Sequence, residues 1–189
     1  MKEVTTILIG VVIIMISLNY YIKNKDVVLV KSSIDNRTYR VADAPDKQNV
    51  ADLLAEINSN VLNMINKLKS NNDTNVQRLC KQYNPDRLGE NLEYKSYKAY
   101  TVNKGEEIVL CVRDDNGKLI QDKNTMMFVL IHELAHVMTY EDGHPPIFWE
   151  NMGYLLKECS ISGGYNPIDY AKSPVMYCGI LVDKTPYPF

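Results

Sequence analysis

Residues 132–144 read HELAHVMTYEDGH and contain all three histidines of the 189-residue chain. The first five form the HExxH pattern of zinc hydrolases. Residues i and i+4 of a helix share a face, so His132 and His136 can offer two imidazole nitrogens to one metal ion. Glu133 is predicted to act as general base on a zinc-activated water without binding the metal. His144 is the expected third ligand, which leaves the fourth position of a catalytic Zn²⁺ site for water.

The flanks of the motif favour a metal helix over the alternative, two ordinary histidines on a helix. Ile131, Leu134, Ala135 and Val137 carry no charge, and apolar residues dominate the predicted helix Asn124–Thr139. A helix that is apolar almost all round is expected to run through the core. Burial would fix the imidazoles and keep the metal in a site of low dielectric.

Other choices of the third ligand fit the sequence less well than His144. The metzincin pattern fails because Thr139 and Asp142 occupy the positions where that pattern places its glycine and histidine. Neither Glu150 nor Glu158 begins the Glu-x3-Asp pattern that a thermolysin-like site would require. Asp142 is close to the motif but is expected to be solvated.

An uncharged segment, Val4–Ile22, is long enough to span a bilayer as a helix. Tyr20 and Tyr21 lie where an interfacial aromatic belt would be. A cleaved signal peptide is disfavoured because no small-x-small site follows, and a core helix because the segment has no polar face. We therefore predict a single-pass membrane anchor at residues 1–22.

The basic residues around this segment predict its orientation. Lys2 is the only basic side chain before it, whereas five follow it: Lys23, Lys25, Lys31, Arg37 and Arg40. The positive-inside bias places the rest of the chain in the cytoplasm. Two glycosylation sequons, at Asn36 and Asn72, would be used only in the opposite orientation.

The remaining chain predicts a juxtamembrane linker at residues 23–47, with a short strand at Val27–Val30, and one domain at residues 48–189. Its fold class is α+β, with helices packed on a small sheet. Apolar residues at helical spacing predict helices at Gln48–Lys69 and Ile147–Ser162, and a shorter helix at Asn75–Tyr83. Alternation predicts a hairpin over Lys98–Val112, and Tyr177–Val182 is a further expected strand.

The second strand of that hairpin, Glu107–Arg113, is the expected substrate-binding strand. In zinc hydrolases of this type, a strand beside the site can hold a peptide backbone by strand addition, through main-chain hydrogen bonds. The alternative is an internal strand of the sheet with no role in binding a ligand.

Charge and cysteine usage limit the classes of partner and site. The net charge is -2, so there is no basic excess to indicate nucleic-acid binding. The four cysteines contain no CxxC pair, which argues against a cysteine-rich zinc site. Cys111 and Cys159 are expected to be buried free thiols, and one or two disulfides are the alternative.

Gly143 to Trp149, read together with HELAH, resembles the WLM and SprT-like zinc metallopeptidases, in particular WLM-like proteins of large DNA viruses. The similarity extends over about Val50–Val182. It includes the NKGE-I-LC hairpin that starts at Asn103 and a Pro-x2-Tyr-Cys-Gly tail. The seven residues between His136 and His144 exceed the spacing typical of WLM proteins. The resemblance implies peptidase chemistry and, for a viral chain, a host or virion membrane.

The predicted function is that of a membrane-anchored zinc metallopeptidase acting on a protein or peptide. Glu133 would take a proton from water and pass it to the leaving amine. An oxyanion donor is also needed, and four tyrosines are candidates: Tyr140, Tyr165, Tyr170 and Tyr177. The alternative is a membrane-anchored interaction or assembly protein with a structural or vestigial zinc site.

Overall fold

The computed structural model describes residues 9–15, 26–92, 99–114 and 116–189. The strands, in chain order, are β1 (Val27–Lys31), β2 (Thr38–Ala42), β3 (Leu88–Glu90), β4 (Ala99–Val102), β5 (Glu107–Leu110), β6 (Val175–Tyr177) and β7 (Ile180–Val182). The helices are α1 (Lys47–Leu68), α2 (Thr74–Gln82), α3 (Lys123–Met138) and α4 (Pro146–Ile161). A short 3₁₀ turn at Pro85–Arg87 leads into β3. Residues 9–15 are also helical.

Five strands form a mixed sheet in the order β1-β2-β3-β5-β4. β1 pairs with β2 and β4 with β5 in antiparallel register, whereas β3 runs parallel to both β2 and β5. Among the described strands, β4 is therefore an edge strand and β5 lies inside the sheet. β6 and β7 form a separate antiparallel hairpin.

Helical periodicity correctly predicted the four main helices. α1 buries its apolar face, from Val50 through Leu54, Ile57 and Val61 to Leu68, against the core. Residues three and four apart lie on one face of a helix, so this spacing turns a single stripe inward. The predicted hairpin over Lys98–Val112 is also present, as β4 and β5.

The metal-motif helix α3 is held between the sheet and α4. Asp122 begins it, since its Oδ1 accepts hydrogen bonds from the N–H groups of Asn124 and Thr125 at 3.1 and 3.0 Å. Most of its residues are buried, from Thr125 to Met138. The histidines of α3 thus project from a helix whose axis is fixed by packing on several sides.

The predicted membrane anchor and the membrane localisation based on it are corrected by the structure. Of Val4–Ile22, only residues 9–15 are described, and they form a seven-residue helical stretch, where about 20 residues are needed to cross a bilayer. The rest of that segment lies outside the described residues. No described helix has both the length and the apolar character needed to span a membrane.

The segment expected as a linker, residues 23–47, is largely part of the folded domain. β1 and β2 lie within it and pair along their whole length, from Val27 with Ala42 to Lys31 with Thr38. Tyr39 and Val41 are buried in the core. The short strand expected at Val27–Val30 is confirmed as part of β1, but β1 is only half-buried and β2 buries only Tyr39 and Val41, so the sequence signal that the two strands belong to the domain is weak.

The expectation for Cys111 was wrong, because this residue forms a disulfide with Cys178, with Cα atoms 6.4 Å apart. The bond ties the end of β5 to the β6–β7 hairpin. The Tyr177 hydroxyl adds to it by donating a hydrogen bond to the Cys111 carbonyl. Cys159 is a buried free thiol, as predicted, and Cys80 is also free.

Candidate metal centre

Three histidines from two elements meet at one end of α3. His132 and His136 lie one turn apart on the helix, and His144 follows in the loop between α3 and α4. Gly143 has a φ of 75°, a conformation that favours glycine, and it turns the chain so that His144 faces the helix. Pro145 and Pro146 then begin α4. The structure therefore brings together all three histidines that the sequence predicted as ligands.

The donor atoms of the three rings are close enough for one ion. One ligand nitrogen from each histidine lies within 4.8 Å of the others, and His132 Nε2 and His144 Nε2 are 3.1 Å apart. Two nitrogens bound to a tetrahedral Zn²⁺ at ~2.0–2.1 Å would be about 3.3 Å apart. Three imidazoles without a thiolate or carboxylate form a donor set suited to zinc.

Aromatic residues of α4 pack against the three histidines. The Phe148 ring centroid lies 4.9 Å from that of His132 and 4.5 Å from those of His136 and His144. The Trp149 ring stacks on His144 with centroids 5.5 Å apart. Phe148 is fully buried. These contacts limit the rotation of the imidazoles, so α4 forms the apolar base of the site.

The electrostatic environment keeps the two helix histidines neutral. Burial, reinforced by the neighbouring histidines, lowers the pKa of His132 to about 4. The pKa of His136 is lowered to about 4, mainly by burial and further by His144 and Lys104. A metal ligand must offer an unprotonated nitrogen, so both rings are ready to bind a cation at neutral pH.

Glu133 lies beside the histidines and is 6% exposed. Burial raises the pKa of its carboxyl to about 7, and a hydrogen bond from Thr101 opposes that rise. The Thr101 hydroxyl donates to Glu133 Oε2 at 3.0 Å. A carboxyl group whose pKa is close to neutrality can both take up and release a proton, as a general base requires.

A cavity of about 600 Å³ lies over the three histidines and Glu133. The edge strand β4 contributes Ala99, Tyr100 and Thr101 to its wall, and the turn after β4 contributes Asn103 and Lys104. β5 contributes no residue to this lining. The predicted substrate strand, Glu107–Arg113, therefore lies in the wrong place: the strand beside the site is β4, its hairpin partner.

None of the four tyrosines predicted as oxyanion donors lines this cavity. Tyr165, Tyr170 and Tyr177 are buried in the core. Tyr140 is exposed, and its ring lies under the guanidinium of Arg78. The cavity lining includes a different tyrosine, Tyr100 of β4.

Thr101 and Lys104 are the site residues that sequence reasoning missed. Both belong to the predicted hairpin, but pairing it with the metal helix requires the strand order, which no local pattern provides. Alternation in the sequence predicted the hairpin, but it did not indicate which of the two strands faces α3.

A model of the WLM domain matches residues 34–166 of the chain. The chain belongs to the WLM-domain family. The resemblance seen in the sequence is thereby confirmed. The family is associated with zinc and with protease-like function. The WLM match begins at residue 34, within the segment that the sequence analysis had assigned to a linker.

The WLM chain is similar to proteins of large DNA viruses. It is 32% identical to "Uncharacterized protein R325" of Acanthamoeba polyphaga mimivirus over 185 residues, which cover 93% of this chain and 94% of that protein. It is 45% identical to "Uncharacterized protein 042R" of Invertebrate iridescent virus 3 over 67 residues, 35% of this chain and 41% of that protein. No solved structure matches the chain.

Proposed function

We propose that this WLM-domain protein is a zinc metalloendopeptidase, with His132, His136 and His144 as ligands and Glu133 as general base. The observation that carries the proposal is the convergence of three histidine nitrogens within 4.8 Å, beside the buried carboxyl group of Glu133. When bound, zinc supplies a Lewis acid that polarises the scissile carbonyl and lowers the pKa of water. The remaining chemistry belongs to the side chains of the chain itself.

Glu133 takes the proton of the attacking water and delivers it to the leaving amine. Its raised pKa, about 7, suits both transfers. Thr101 orients the carboxyl group by donating to Oε2 at 3.0 Å. Thr101 thus supports proton transfer by holding Glu133, without itself exchanging a proton.

The substrate is proposed to bind as an added strand on β4. β4 is an edge of the sheet among the described strands, and it borders the cavity that contains the histidines. An edge strand offers main-chain donors and acceptors to an extended peptide, with little demand on peptide sequence. An unfolded or extended segment of a protein is therefore the expected substrate class.

The test is hydrolysis of an unfolded protein by the zinc-loaded full chain. E133Q should bind zinc as the parent does and lose activity by about 10²–10⁴-fold, since only proton transfer is removed. Hydrolysis by E133Q at the parental rate would exclude Glu133 as general base. Zinc binding by the parent without turnover would favour the alternative, a non-catalytic interaction protein.

A further inference from the structure

The third proposed ligand is carried by the least buried part of the site. His132 and His136 are partly buried on α3, whereas residues 140–144 are all exposed. The start of this loop is fixed, because the Asn151 amide donates to the Thr139 hydroxyl at 2.9 Å and both residues are buried. The far end is held by α4, whose Trp149 ring stacks on His144, so the exposed residues 140–143 between the two ends are the part of the loop that needs other contacts.

Lys104 makes such contacts from the β4–β5 turn. Its ammonium group donates to the Glu141 carbonyl at 2.8 Å and lies 3.1 Å from the Asp142 carboxylate. The lysine side chain is only 21% exposed, while Asp142 is 97% exposed. Lys104 therefore reaches across the mouth of the cleft and holds two residues that directly precede Gly143 and His144.

The backbone at Lys104 is unusual for a lysine. Asn103 and Lys104 have φ values of 43° and 58°, in the left-handed region that costs a residue with a branched or long side chain more than glycine or asparagine. The Gly105 N–H closes the turn by donating to the Val102 carbonyl at 3.0 Å. The turn conformation does not favour a lysine at this position. The contacts of the Lys104 side chain therefore explain why a lysine is there.

We infer that Lys104 is a positioning residue for the third metal ligand. By tying the β4–β5 turn to the Glu141 carbonyl, it restrains the loop that presents His144, and it thereby raises the metal affinity of the three-histidine site. This inference rests on the proposed function only in that the three histidines bind zinc. It does not depend on catalysis.

The hydrogen bond to the carbonyl is the main part of this restraint. Asp142 is almost fully exposed, and ion pairs of exposed partners contribute little. The Lys104 ammonium is a charged donor, and a hydrogen bond from a charged donor to a carbonyl is stronger than one between neutral groups. Removing the Asp142 charge should therefore lower zinc affinity less than removing the Lys104 ammonium group.

The test is a titration of the metal-free full chain with Zn²⁺, followed by competition with a chelator of known affinity. K104M should weaken zinc binding by about tenfold, near the low end of losses seen when groups that support ligands are removed, because the lost restraint on His144 outweighs the removal of a positive charge that disfavours a cation beside His136. K104R should retain part of the affinity, and D142N should change it by less than about threefold. K47M is the matched control, because it breaks an exposed Lys47–Asp43 pair far from the site in sequence.

K104G separates a positioning role from a purely structural one. It removes the ammonium group, but glycine suits a φ of 58°, so the thermal stability of the metal-free protein should be kept. Weaker zinc binding by K104G at unchanged stability supports the inference.

Parental affinity in K104M, with zinc bound by the parent, would overturn the role of Lys104 and leave the proposed function intact. An equal loss in D142N and K104M would overturn the carbonyl contact as the main restraint. If the parent binds no zinc, the metal site itself is refuted, and this inference falls with it.

Discussion

Two polar clusters among the described residues have their hydrogen-bonding groups completed in opposite ways. The histidine cluster gathers three imidazole rings around an open cavity, and burial keeps those of His132 and His136 neutral. The second, which we call the arginine cluster, consists of Arg113, Glu90 and Asp46. Arg113 donates to Glu90 Oε1 at 2.7 Å and to both oxygens of Asp46 at 2.7 and 2.8 Å.

The charged groups of the arginine cluster have hydrogen-bond partners within the protein. The second carboxylate oxygen of Glu90 accepts from the Ala42 N–H at 2.6 Å, so the buried carboxylate has partners on both oxygens. This cluster joins the ends of β2 and β3 to the start of α1. Charged groups that already have partners indicate a role in the fold, whereas the histidine cluster has lone pairs to offer to a cation from outside.

The largest expected effect that separates the two clusters is a loss of folding stability when the arginine cluster is broken. R113M should lower the free energy of unfolding by about 3–5 kcal/mol, because it leaves Glu90, 2% exposed, as a buried charge without its partner. Zinc affinity should change little. Denaturant unfolding measures the loss, and R40M is the control, since the Arg40–Glu107 pair is partly exposed and should cost less than about 1 kcal/mol. A similar loss in both variants would contradict a special role for the arginine cluster.

The disulfide beside the arginine cluster should contribute somewhat less. Cys111 and Cys178 are 67 residues apart in sequence, and a cross-link of that span constrains the unfolded chain. Unfolding in the presence of a dithiol reductant should reveal a loss of about 2–4 kcal/mol. The double variant C111A/C178A should already show that loss and respond no further to the reductant. A continued response of the double variant would assign the effect to another group.

Beside the histidine cluster, a substitution of Thr101 should change the catalytic rate without changing zinc affinity. T101V keeps the shape of the side chain but removes the donor to Glu133 Oε2, so kcat should fall by about tenfold, as expected for the loss of a hydrogen bond to a charged group. Zinc affinity should stay at the parental value. T101S retains the hydroxyl and should recover most of the rate. If T101S is as slow as T101V, packing of the threonine methyl group explains the loss instead.

The smallest expected effect is on the free energy of unfolding at low pH. Hydrogen bonds from Arg113 hold the pKa of Asp46 below its ordinary value. Its stabilising contribution is therefore complete above the unfolded-state pKa, about 4, and is lost as the pH falls through the folded-state pKa. The free energy of unfolding should decrease less steeply below pH 4 in D46N than in the parent. Identical slopes would show that Asp46 does not take part in the acid response.

Sequence predicted the histidine cluster well because its information is local. Two ligands are one turn apart on a helix, and the third follows after a turn that contains Gly143, so the spacing alone placed them together. The arginine cluster was missed because Asp46 and Glu90 are far from Arg113 in the chain. The contact between them depends on strand order and on where α1 begins.

The same distinction explains the other corrections. Helices with an apolar stripe, such as α1, were found at nearly their true bounds. The assignment of Glu107–Arg113 as the strand beside the site was wrong, because the edge strand and the interior strand of a hairpin have similar sequence patterns. Cys111 was expected to be a free thiol because its partner lies in a distant hairpin. The apolar content of Val4–Ile22 was taken as a membrane span, and no described helix supports that interpretation.

Zinc titration of the metal-free full chain tests the central claim most directly. One Zn²⁺ per chain should bind to the parent and to E133Q, whereas H136A should lose most of its affinity, because one of three ligands is gone. R113M should bind as the parent does, once it is folded. Equal affinity in H136A and the parent would show that the histidine cluster is not the metal centre.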